Sequence, residues 1–150
     1  MPMRGAKAHI RRLQALAGAT TQREIGAALF AGGELIQTHA QRSITAGAVS
    51  GRGHTPSAPG TPPSNDSGVL ANNIETTQPA VTRVLVTSSA PYSAAQEFGA
   101  DIANAFGNGT AVTLPARPFM RPARDAKRQE VQELVEKAMN RAVRKSRRSD

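Results

Sequence analysis

A chain of 150 residues has the length of one domain and can bury a core of its own. With no Trp, one Tyr and four Phe that core must rest on aliphatic side chains, and the absence of Cys excludes a disulfide framework and thiolate metal sites. The net charge of +8 is unevenly placed, with four basic and no acidic groups in residues 1–12, and eleven basic against five acidic in residues 117–150. Four basic and six acidic groups lie between, so the positive charge sits at the two ends. Such ends suit contact with nucleic acid or an acidic protein surface, or are solvated helix ends.

The first residues are basic and hold no sustained apolar run, since Arg11, Arg12 and Gln14 interrupt it, and they read as neither a secretory signal nor a membrane span. Ile10, Leu13 and Leu16 make a short helical stripe. Thr21 and Glu24 then have the spacing of a capping box, in which two side chains satisfy the free N–H groups of a helix start. A longer helix follows, with Ile25, Leu29, Ile36, Ala40 and Ile44 on its apolar side and Gln37, Gln41 and Arg42 on its wet side. Gly32 and Gly33 in its middle cost about 1 kcal/mol each relative to alanine, which points to a bend or to close packing.

Composition changes sharply at Gly47. From there to Gly68 the chain is mostly Gly, Ser, Thr, Asn and Pro, too poor in apolar surface to offset the entropy of ordering. A long mobile loop is expected, either functional or a tolerated insertion. Strand patterns follow through Leu70 and Ile74 and through Val84 and Val86, with Gln78-Pro79 as the turn between them. The two should pair antiparallel, the second being covered on both faces. Residues 90–106 read as a short helix or irregular stretch, Asn108-Gly109 as a tight turn, and Ala111 to Leu114 as a third strand.

The stretch "LPARPFMRPARD" places three prolines and three arginines in twelve residues. Prolines at that density exclude a helix interior, so the segment should be extended, with Arg117, Phe119 and Arg121 on one side and Met120 on the other. Pro122 suits the first turn of a helix, where a missing N–H costs nothing. In the last helix Val131, Leu134, Val135, Ala138 and Ala142 form the apolar stripe, and Glu133 and Lys137 make an i, i+4 pair. Arg144, Lys145, Arg147 and Arg148 complement the negative end of its dipole.

Catalytic chemistry finds little footing. His9, His39 and His54 lie in different segments with no spacing that would bring two metal ligands together. Glu97 and Asp101, four apart, lack a neighbouring His, Lys or phosphate-binding loop and read as solvated carboxylates. No catalytic, cofactor-binding or metal-binding residue is expected. Aromatics interleaved with basic residues, which base stacking would require, are nearly absent from the basic third.

Three segments, in order, resemble one family. Residues 56–74, "PSAPGTPPSNDSGVLANNI", resemble its glycine-proline loop and the D-[ST]-G-x-L turn that follows. "APYSAAQEFGA", residues 90–100, resembles its tyrosine-to-E-F-G segment through Tyr92, Glu97, Phe98 and Gly99. "PARPFMRPARD", residues 115–125, resembles the P-A-R-P-F-[LM]-x-P-A element before its last helix. The family is the neck and tail-completion family of tailed phages typified by the tenth gene product of phage HK-ninety-seven.

The resemblance implies a single α+β domain over residues 1–150. It would have a small antiparallel sheet packed against a long N-terminal helix and a C-terminal helix, with the mobile loop at 47–68 and a basic tail at 144–150. It implies a non-enzymatic virion component at the head–tail junction or in the tail, in the host cytoplasm before assembly. Its partners would be other neck and tail proteins and further copies of itself in a ring, without a membrane. Arg117, Phe119 and Arg121 would lie at the partner interface, with Phe119 also anchoring the segment in the core. Arg144, Lys145, Arg147 and Arg148 would face an acidic partner or the packaged DNA. A tail terminator ring is the alternative within that class, and a basic non-specific nucleic-acid-binding protein the alternative outside it.

Overall fold

The computed structural model describes residues 5–105, 107 and 109–148, with the side chain of Arg148 outside the description. Two helices open the chain, α1 (Ala6–Ala17) and α2 (Ala19–Thr45), hinged at Gly18. An irregular stretch containing one helical turn at Gly51–Gly53 leads to α3 (Val69–Asn72) and to the hairpin of β1 (Ile74–Ala80) and β2 (Arg83–Ser88). A six-residue helix α4 (Ser93–Phe98) precedes β3 (Ala100–Ile102) and β4 (Val112–Leu114), and α5 (Met120–Arg148) closes the chain. The fold is α+β.

The expected sheet is two separate two-stranded sheets, β1 with β2 and β3 with β4, both antiparallel. Three local expectations are corrected within the first. Leu70 is in the helical turn α3 and not in a strand. The hairpin turns at Val81-Thr82, since Ala80 pairs with Arg83, and Gln78-Pro79 instead forms the irregularity between the paired residues Thr77 and Ala80. Proline has no N–H for the ladder, so a break in pairing is where a strand accommodates it. Finally, β2 is covered on one face only, with Val84, Val86 and Ser88 half-buried and Arg83, Leu85 and Thr87 exposed.

The scaffold is the long pair α2 and α5. It runs antiparallel, because Gly32 meets Val131 in mid-helix, Glu24 near the start of α2 meets Lys145 near the end of α5, and Ile44 shares a cluster with Phe119 and Ala123. The apolar stripe is made of small residues at its most buried points: Gly26, Ala28, Gly32, Gly33 and Ala40 on α2, and Ala123, Ala138 and Ala142 on α5. The glycines are there for close approach. A Cβ on Gly32 would lie 2.9 Å from a Val131 methyl, one on Gly33 2.7 Å from the Thr76 methyl, and one on Gly26 2.0 Å from the Val81 carbonyl oxygen. Helix α2 therefore runs unbroken through its glycines, which seat α5 and the hairpin.

The start of α2 also differs from expectation. Gly18 precedes the first turn and no side chain caps it. Thr21 Oγ1 instead donates back to the Ala15 carbonyl, and Glu24 pairs with Lys145. On the side read as wet, Gln41 is half-buried and its Nε2 donates to the carbonyls of Ala71 and Ile74, joining α2 to α3 and β1. The core lies at that end of the molecule: Ala40, Ile44, Leu70, Ala71, Ile74, Ala90, Phe119 and Ala123 pack together.

Candidate functional site

Helix α5 begins where its own sequence offers no cap. Its first intrahelical bond runs from the Ala123 N–H to the Phe119 carbonyl, which leaves the amides of residues 119–122 to be satisfied from elsewhere. Neither Pro118 nor Phe119 has a side chain that can accept a hydrogen bond. The acceptor comes from α4, where Glu97 Oε2 takes the N–H groups of Phe119 at 2.8 Å and Met120 at 2.9 Å, and Oε1 that of Arg121 at 3.0 Å. Pro122 has no N–H to satisfy. One carboxylate thus accounts for every donor at this helix end, and its charge faces the positive end of the helix dipole.

Glu97 is only 8% exposed, whereas it reads in the sequence as a solvated carboxylate beside Asp101. Asp101 is exposed, and its Oδ1 accepts the Thr113 hydroxyl across the second sheet. The signal that could have revealed Glu97 is the uncapped helix start at "PFMRP", which requires an acceptor from a distant segment. Gly99, the next residue but one, has a φ of 77° and a backbone so close to the end of β4 that a Cβ would stand 2.9 Å from the Leu114 oxygen. Any other residue would be strained there, so the E-F-G triplet works as cap, exposed aromatic and tight turn.

The residues from Pro115 to Pro118 form an extended strap between α4 and the 47–68 segment. The Arg117 N–H donates to Gln96 O at 2.6 Å, Arg117 Nε donates to Ser57 O at 2.9 Å, and the Ala116 carbonyl accepts the Gly60 N–H at 2.8 Å. The segment expected to be a mobile loop thus makes hydrogen bonds to the strap, and two more run from Asn65 N–H to Ile44 O at 3.0 Å and from Gly51 N–H to Asp66 Oδ1 at 2.9 Å. Pro63 is buried within it. These ties are polar and backbone-based, which is why apolar content did not reveal them.

The three residues expected to share one side of an extended segment have three different roles. Arg117 is half-buried and holds the loop. Phe119 is 1% exposed and belongs to the core, so it supports the site from beneath. Arg121 already lies in the first turn of α5, exposed. The extended alternation stops at Met120 because the helix starts two residues before Pro122.

Beside this capped helix start lies an open groove of about 640 Å³. Ile36, Val84, Val86 and Met120 supply apolar walls, Phe98 stands 69% exposed, and Arg121 and Arg124 add positive charge. Arg124 is bonded to the neighbouring Asp125.

The basic end of α5 is distinct from this groove. Residues expected to form a tail continue the helix to Arg148, with Ser146 buried against the bundle. Arg144, Lys145 and Arg147 are exposed, Lys145 being ion-paired with Glu24, and the side chain of Arg148 lies outside the described residues. Asn108, expected in a tight turn, also lies outside them; next to it Gly109 has a φ of 83° and donates its N–H to Asn104 Oδ1 at 2.7 Å.

Among the described residues no group of three or more His, Cys, Asp or Glu is placed to hold a metal ion, and no helix is long and apolar enough to cross a membrane. His54 Nδ1 sits 3.1 Å from the Val49 carbonyl within the loop. No family model matches the chain, nor does any curated protein or solved structure.

Proposed function

We propose that the protein is a structural assembly component of a tailed phage or prophage, completing the tail or joining it to the head. The observation that supports this reading is the convergence of the three segments that resemble the neck family. Gly60 of the first bonds Ala116 of the third, Gln96 of the second accepts from Arg117 of the third, and Glu97 of the second caps the helix the third begins. Segments separated in sequence thus form one unit, as expected if the resemblance extends to the fold.

This unit works by positioning and not by chemistry. It fixes a helix start rigidly and leaves Arg121 and Phe98 exposed beside an apolar groove. A buried cap under an exposed arginine and aromatic is the build of an interface, since arginine and aromatics carry much of the energy at protein contacts. The partners are neck or tail proteins and further copies of the chain in a ring.

Deletion of the gene from the phage or prophage, with complementation in trans, tests the proposal. Infectivity and electron microscopy should show unjoined heads and tails without the protein and whole particles when it is restored. Normal particles in its absence would remove the assembly role.

A further inference from the structure

The two basic terminal stretches, far apart in sequence, come together in the fold. Helix α1 packs on both α2 and α5, and the Glu24–Lys145 pair fixes the start of α2 against the end of α5. The end of the bundle carrying α1 therefore also carries the last turns of α5. From Gly5 to Arg23 and from Lys137 to Arg148 the sequence contains no acidic residue. Lys7 and Arg11 on α1, and Arg141, Arg144 and Arg147 on α5, are all exposed. Glu24, next after Arg23, is already engaged by Lys145, and Glu136, just before Lys137, marks the edge of the basic stretch on α5.

We propose that this end of the molecule binds the phosphate backbone of duplex DNA without regard to base sequence. Like charges gathered at one end repel one another, and a polyanion relieves that repulsion while releasing its own counterions. The cations are spread along two helices, not focused on a socket, and a long track of uniform phosphates is the anion that such a spread matches. An acidic protein patch would need pairing acceptors at particular places. No aromatic residue occurs between Gly5 and Arg23 or between Lys137 and Arg148, so stacking on the splayed bases of a single strand has no platform. Duplex contact through phosphates alone needs none.

The surface lies away from the groove beside Glu97, and the proposal stands or falls independently of the assembly role, which complementation measures. The test is fluorescence anisotropy of the full chain with a labelled 30-base-pair duplex of arbitrary sequence at 50 to 200 mM salt. Engagement of about four phosphates gives a log–log salt slope of about −4 and weakens binding roughly 100-fold over that range. Arg144→Gln with Arg147→Gln should reduce the slope by about 2, and Lys7→Gln with Arg11→Gln should do likewise. Arg42→Gln with Arg52→Gln, exposed cations near the other end of α2 and in the 47–68 segment, should leave it unchanged. Circular dichroism checks that each variant is folded. Absence of binding at 50 mM salt, equal loss in all three variants, or equal affinity for polyglutamate of the same charge density would each overturn the assignment.

Discussion

The Glu97 carboxylate, on a helix of six residues, holds the backbone of Phe119 at 2.8 Å and so fixes where the 29-residue α5 begins. The short helix and the long one are made interdependent by this contact, because the cap is buried and no local residue can replace it. Removing the carboxylate leaves three N–H groups without an acceptor. Glu97→Ala should cost about 3 kcal/mol, lowering the melting temperature by about 6–12 °C. Glu97→Gln keeps one acceptor oxygen and should lose less. Urea or thermal melts measure both, and a loss below about 1 kcal/mol for the alanine variant would mean that water replaces the cap.

Phe119 contributes through burial. Its ring fills the centre of the main cluster between Ile44, Leu70 and Ala123, so Phe119→Ala should cost about 3–5 kcal/mol. A variant with nearly unchanged stability would contradict its place in the core.

The glycines of α2 give a test in which two effects oppose. Helix propensity favours alanine over glycine by about 1 kcal/mol. At Gly26, however, the new methyl would lie 2.0 Å from the Val81 backbone oxygen, and backbone cannot turn aside as a flexible side chain can. Gly26→Ala should be net destabilising by about 1–3 kcal/mol and should displace the hairpin tip, visible as shifts in the amide signals of Val81 and Thr82. A stabilised variant would show that the hairpin does not rest on α2.

Amide hydrogen exchange should divide the 47–68 segment. The amides of Ala48, Gly51, His54, Gly60, Thr61 and Asn65, which have acceptors, should exchange slowly relative to their neighbours, and the rest quickly. Uniformly fast exchange would mean that the ties to Ala116 and Ile44 are not held in solution.

Arg117 and Arg121 should separate by phenotype. Arg117→Ala removes the bond to Ser57 and should raise exchange at Gly60. Arg121→Ala removes only an exposed side chain and should change stability by less than about 0.5 kcal/mol, yet impair the joining of particles in complementation. Wild-type infectivity with Arg121→Ala would take that residue out of the interface.

Periodicity and proline placement made the long helices legible, including the start of the last one near Pro122, because a helix stripe and a missing N–H are properties of neighbouring residues. The antiparallel pairing of residues 74–88 followed likewise from alternation, and the burial of Phe119 from its being the large apolar group among prolines. What required the tertiary structure was every feature in which one segment completes another. Glu97 is a surface carboxylate by local pattern, and only the arrival of an uncapped helix makes it a buried cap. Thr21 and Glu24 have capping-box spacing, but α2 begins ahead of them at Ala19, and their side chains bond Ala15 and Lys145 instead. The 47–68 segment is poor in apolar residues, the sequence signal of mobility, while its contacts are hydrogen bonds of backbone groups to other backbone or to Arg117 and Asp66, which apolar content does not report. Charge at both ends could be counted from the sequence. That the acid-free basic stretches 5–23 and 137–148 share one end of the molecule, while Arg121 and Arg124 lie at the other, depended on α1 packing on α5, a contact between residues too distant in the chain for any local pattern to encode.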